Sequence, residues 1–117
     1  MATYKLRFFF SPGSGICLWS ANDAAREKWD YPVDVQALPL PENTWRKALY
    51  VMAWHDTSID WSHPSGPSPW TDEERLNFNR AAQSLLALLR EQLGSDFEIC
   101  DESETRELLP NQPPLAC

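Results

Sequence analysis

The chain has 117 residues, 43% hydrophobic and 23% charged, with ten Lys/Arg against seventeen Asp/Glu for a net charge of −7. That length suits one domain with a real core, and the composition excludes collagen, a long coiled coil and wholesale disorder. The charge argues against nucleic acid or an anionic membrane surface as partner; no apolar run reaches the ~18 residues of a membrane span, and the start lacks a signal-peptide pattern.

Residues 3–10 alternate: Tyr4, Leu6, Phe8 and Phe10 fall on one side, Lys5 and Arg7 on the other. This is the period of a strand with one wet face. Ser11-Pro12-Gly13-Ser14-Gly15 is dense turn chemistry, and residues 16–20 read as a second strand. A β-hairpin with a longer loop is expected. Asn22 or Asp23 can cap a short helix through Trp29, which Tyr31-Pro32 breaks. Residues 33–40 read as short and extended, and Pro39 and Pro41 deny them a central place in a sheet. Pro41 suits the first position of a helix to about His55, with Trp45, Ala48, Leu49 and Met52 as its stripe. Tyr50, Val51 and Trp54 widen that stripe and predict cover on more than one side.

Residues 56–70 hold three prolines and a glycine without periodicity, an irregular connection long enough to suggest a function. Thr71-Asp72-Glu73-Glu74 is a capping box with an acidic first turn. Phe78, Ala82, Leu85, Leu86, Leu89 and Leu93 follow at helical spacing, and Gly94 is the stop. Residues 96–100 alternate as a closing strand. The expected fold is α+β: a small antiparallel or mixed sheet of about three strands, in β-β-α-α-α-β order, with the helices on one face and the last strand beside the first. Residues 1–101 would form this domain and residues 102–117 a loosely ordered acidic, proline-rich tail.

Three cysteines (Cys17, Cys100 and Cys117) without C-x-x-C spacing argue against a disulfide framework or a four-cysteine zinc site. Cys17 and Cys100 sit in apolar stretches and read as buried small hydrophobes, and Cys117 as an exposed thiol. The expectation is a reduced, cytoplasmic protein. Charge is uneven: residues 1–53 carry six Lys/Arg and five Asp/Glu, whereas residues 54–117 carry four Arg and twelve Asp/Glu. An acidic second half would steer a basic partner.

Residues 54–70 hold both histidines and three of the six tryptophans. His55, Asp60 and His63 are weak candidates for metal ligands, because their spacing matches no specific metal motif. A hydrolase would pair His55 or His63 with Asp56 or Asp60, but the chain lacks a Gly-x-Ser-x-Gly elbow. The 11–15 loop precedes a strand rather than a helix, so it is not built to cradle phosphate. No cofactor is implied. Six tryptophans exceed what so small a core readily takes, and an exposed tryptophan beside carboxylates suits a protein interface.

The stretches from Phe8 to Trp19, from Ala53 to Trp61 and from Pro69 to Glu74 resemble a group of small uncharacterised bacterial cytosolic proteins. The likeness spans about residues 4–101. In size, acidity and want of a catalytic pattern the chain also resembles immunity proteins that neutralise bacterial toxins. Such proteins have many folds, so this second likeness assigns no residue a role. The expected function is an acidic protein-binding module for a basic partner, a cognate toxin, with Asp56, Asp60, Trp61, Trp70, Asp72 and Glu73 as contacts. The alternative is a small hydrolase or metal-dependent enzyme built on the His55–His63 loop.

Overall fold

The computed structural model describes residues 2–103. Its strands are β1 (Tyr4–Phe8), β2 (Leu18–Ser20), β3 (Pro32–Val33) and β4 (Phe97–Asp101), and its helices α1 (Asp23–Trp29), α2 (Glu42–Asp56) and α3 (Asp72–Leu93). The strands form one mixed sheet in the order β3-β2-β1-β4. β1 pairs antiparallel with β2 and parallel with β4, in a register that sets Leu6 beside Ile99. The α+β class and the place of the last strand beside the first agree with expectation. The sheet has four strands rather than about three. The extra one, β3, is two residues long and pairs antiparallel with β2. Two residues are too few to show a period, and Pro32 is tolerated because β3 is an edge.

The alternation of β1 is kept. Leu6 and Phe8 are buried, Lys5 is exposed and Arg7 half-buried. At the two ends of the inner face, Tyr4 meets Trp29 of α1, and Phe10 meets His55 of α2 and Phe78 of α3. All three helices therefore reach the same face, as a one-sided apolar sheet requires. Asn22 caps α1: its Oδ1 accepts from Ala25 N–H at 3.0 Å, and its Nδ2 donates to the Thr3 carbonyl at 3.1 Å. The cap thus ties α1 to the strand end.

Pro41 precedes α2, and its carbonyl accepts from the N–H groups of Thr44 and Trp45. The buried stripe of α2 is Thr44, Ala48, Val51, Met52 and His55. Of the residues expected to widen the stripe, Val51 is buried and Trp54 half-buried against the core, whereas Tyr50 is 69% exposed. In α3 the predicted stripe is buried throughout. Thr71 Oγ1 accepts from Glu74 N–H at 3.1 Å, but the Glu74 carboxylate takes the Trp54 indole N–H at 3.3 Å instead of closing the capping box. Gly94 ends the helix at φ +78, a conformation that glycine adopts without strain. Among the described residues no helix is long and apolar enough to cross a membrane.

Cys17 is fully buried and free, and burial pushes its thiol up to about 12. Cys100 is buried, as expected, but disulfide-bonded, which departs from the expectation of a reduced protein without disulfides. Glu102 and Ser103 pack on the body: Glu102 forms a two-point ion pair with Arg7, and Ser103 N–H donates to Asp101 at 2.9 Å. The rest of the expected tail, residues 104–117, lies outside the described residues.

The apolar hub at the end of α2 makes Phe78 critical, because its ring touches Phe10, Trp54, His55 and Trp70. Phe78→Ala should cost about 3–5 kcal/mol in urea unfolding. A second expectation concerns pH. Burial raises the Asp101 carboxyl, but hydrogen bonds from Ser103 and Gln83 outweigh it and hold the group below its ordinary value of 3.8. A lowered folded-state pKa gives stability that is full above 3.8 and lost as pH falls through the lower folded value. Asp101→Asn should therefore lower the unfolding midpoint at neutral pH, and the gap from wild type should close on acidification below that range.

Candidate partner-binding surface

The long connection starts and ends at one place. Thr57 follows α2, and its hydroxyl donates to the Trp54 carbonyl at 2.7 Å. The same Oγ1 accepts from the Trp70 indole N–H at 2.8 Å. Trp70 is 9% exposed, with its ring 5.0 Å from Phe78 between centroids. The connection is thus a loop pinned at its root, compact in the sense of an Ω-loop. Trp70 was expected among the contacts; it lies in the core and holds the loop from beneath.

His55 is equally interior, 1% exposed. It stacks on Phe10 (centroids 5.2 Å, interplanar 22°) and stands edge-on to Trp70 (6.3 Å, 87°). His63 is exposed on the loop. One histidine is packed among aromatic rings and the other lies at the surface. Among the described residues no group of three or more His, Cys, Asp or Glu could hold a metal ion. The structure does not bring the weak candidates His55, Asp60 and His63 together. The physical reason is that His55 fills a core position on α2 rather than facing the loop.

The two loops that flank the hub are joined through Asp56. Its Oδ1 accepts from Gly13 N–H at 2.9 Å, and its backbone carbonyl accepts from the Trp61 indole N–H at 3.0 Å. Gly13 sits at φ +80 beside the Trp61 ring, where a Cβ would lie 3.4 Å from the edge atom Cη2. Trp61 is nonetheless 57% exposed. It is an outward-facing indole with its N–H already satisfied and the far edge of its ring against a glycine.

Asp60 makes the next turn: its Oδ1 accepts from Ser62 N–H at 3.0 Å, and its carbonyl accepts from His63 N–H at 2.9 Å. This is the side-chain-to-backbone capping by which aspartate favours turns. Asp72 and Glu73 are exposed on the first turn of α3. Asp72 lies 3.5 Å from Arg75 Nη1, an exposed pair of small energetic weight. Of the six expected contacts, Asp60, Trp61, Asp72 and Glu73 are thus at the surface, Asp56 is half-buried and bonded, and Trp70 is buried.

A second cluster was not read from the sequence. On the outer face of the sheet, Arg7 donates to both carboxylate oxygens of Glu102 at 2.8 and 2.9 Å and to Tyr31 Oη at 3.1 Å. Its guanidinium lies 5.0 Å from the Phe9 centroid, and Phe9 stacks on Trp19 at 4.9 Å. The alternation of β1 marked Arg7 as outward, but its hydrogen-bond partners Tyr31 and Glu102 come from two distant segments and leave no local signal.

Gly13→Ala tests the junction: the positive φ should cost about 1 kcal/mol or more. A Cβ there would stand in ordinary contact with the edge of the Trp61 ring at 3.4 Å, so the indole keeps its place and the tryptophan emission should stay as in wild type. Thermal unfolding and fluorescence spectra check both.

The profile of a family described as Serratia CdiI immunity protein-like matches residues 15–103, a span that takes in every strand and helix except β1. No curated protein matches the chain.

Proposed function

The chain belongs to the Serratia CdiI immunity protein-like family, and on that premise we propose that it neutralises a cognate bacterial toxin by binding it directly. Family membership carries this reading. The site proposed for the contact is the pinned loop with the first turn of α3, where Asp60, Trp61, Asp72 and Glu73 are exposed. Asp56 and Trp70 belong to the same site as its framework. The partner proposed is a basic protein. The support is electrostatic: the half of the chain from residue 54 onward carries twelve Asp/Glu against four Arg. A field of one sign raises the encounter rate with a partner of the other, and apolar anchors then slow release. The compartment in this reading is the cytoplasm.

The experiment has two steps. Tagged chain is used to capture proteins from its native host at low and then high salt, and the captured protein is expressed in cells with and without the chain. Growth arrest relieved only by the chain is the expected result. A captured protein that is harmless alone, or one that kills regardless of the chain, overturns the reading. With that toxin purified, Asp72→Lys combined with Glu73→Lys should slow association by roughly tenfold at low salt and flatten its salt dependence. Dissociation should change less. Stopped-flow association at several salt concentrations measures this.

A further inference from the structure

Trp61 is the one large aromatic side chain of the acidic loop that faces solvent, at 57% exposure. Its neighbours in the chain and across the junction are carboxylates, Asp60 and Asp56. The other cations that this chain sets over rings are placed elsewhere. Among the described residues, Arg7 lies over Phe9, Lys28 over Tyr4 and Trp29, and Arg46 over Trp45, and none lies over Trp61. An indole is the best aromatic acceptor for a cation, and the exposed Asp60 carboxylate beside it adds to the attraction.

The ring is also fixed before any partner arrives. Its N–H is held by the Asp56 carbonyl at 3.0 Å. Gly13, held by the Asp56 carboxylate at 2.9 Å, lies at the Cη2 edge of the ring. A side chain already held in one pose loses little entropy on binding, which is the character of an interface anchor. Asp56 spends one carboxylate oxygen and its carbonyl on this arrangement, so its part is to position the ring rather than to touch the partner.

We propose that Trp61 is the anchor of the toxin interface and receives an arginine or lysine side chain of the partner on its exposed face, with Asp56 as the positioning residue whose carbonyl holds the indole N–H and whose carboxylate holds Gly13 at the edge of the ring. The proposal rests on the reading of neutralisation by direct binding. It adds the chemistry of the contact and separates the roles of two neighbouring aspartates.

The test uses the full chain and the purified toxin against which it protects cells, with dissociation followed by biolayer interferometry. Trp61→Ala should speed dissociation by roughly 30-fold or more. Trp61→Phe, which keeps a π face, should lie closer to wild type than Trp61→Leu, which keeps apolar area without one. Asp56→Asn still offers an oxygen to Gly13 N–H and should bind like wild type, whereas Asp56→Ala should weaken binding. Unfolding midpoints within about a degree or two for the Trp61 variants confirm that folding is unaffected, as for an exposed position. If wild type binds and Trp61→Ala binds equally well, the anchor is overturned while neutralisation stands. If Trp61→Leu equals Trp61→Phe, the partner's cation is overturned. If Asp56→Asn is as damaging as Asp56→Ala, Asp56 is a charged contact and its positioning role is overturned. If no toxin is bound by the wild-type chain at all, the reading beneath the proposal fails and the anchor falls with it.

Discussion

The packing of Phe10, His55, Trp70 and Phe78 is the interaction on which the rest of the structure depends. These four rings come from the end of the first strand's alternation, the last turn of α2, the end of the long loop and the first turns of α3. Phe78 stands 5.2 Å from Phe10, 5.4 Å from His55 and 5.0 Å from Trp70 between centroids. Aromatic pairs at such distances favour tilted and edge-on arrangements over direct sandwiches, and they add to the stabilisation from burial alone. The hub joins the sheet to the two long helices and closes the root of the loop. A loop of that length otherwise has a high entropic cost, which pinning both ends at Thr57 and Trp70 reduces.

Polar groups around the hub are arranged to let that packing stand. The Trp54 indole N–H is met by Glu74, that of Trp70 by Thr57, and that of Trp61 by the Asp56 carbonyl. A buried N–H left without an acceptor would cost a large part of what ring burial contributes. The price is visible at α3, where Glu74 gives up its half of the capping box to serve Trp54. The carboxylates thus divide into two kinds. Asp56 and Glu74 are committed to structure, while Asp72 and Glu73 extend into solvent and are available to shape the field that a partner meets.

The outer side of the sheet obeys a different logic. There the charges are paired in place: Arg7 with Glu102, and Lys5 with Glu98 at 3.7 Å. The aromatic rings Phe9 and Trp19 lie on one another at 6° between planes, so they shield each other on a face that the helices do not cover. The edge strand β4 is guarded as well, since Arg90 of α3 donates to the Ile99 carbonyl at 2.7 Å. A charged side chain on an edge carbonyl disfavours strand addition by another molecule.

The sequence by itself determined the elements whose signals are local. The alternation from Tyr4 to Phe10, the stripe from Phe78 to Leu93 and the cap residues Asn22, Thr71 and Gly94 each act within a few residues, and each is found as the pattern implied. The acidity of the second half follows from composition, and the exposed state of Asp60, Asp72 and Glu73 from the irregular loop and the acidic first turn of α3. Only the tertiary structure decided which ring of each pair is inside. Trp70 and Trp61 lie in one loop, with nothing in their neighbours to tell that one is buried and the other faces water. The difference is made by Phe78 and Thr57, which enclose the first, and by Gly13, 48 positions away in the chain, which meets only the edge of the second. The same holds for His55, whose place on the buried side of α2 depends on where Phe10 arrives, and for β3, whose two residues become a strand only because β2 offers an open edge. Contacts between segments distant in the chain are set by packing, and packing leaves no period to read.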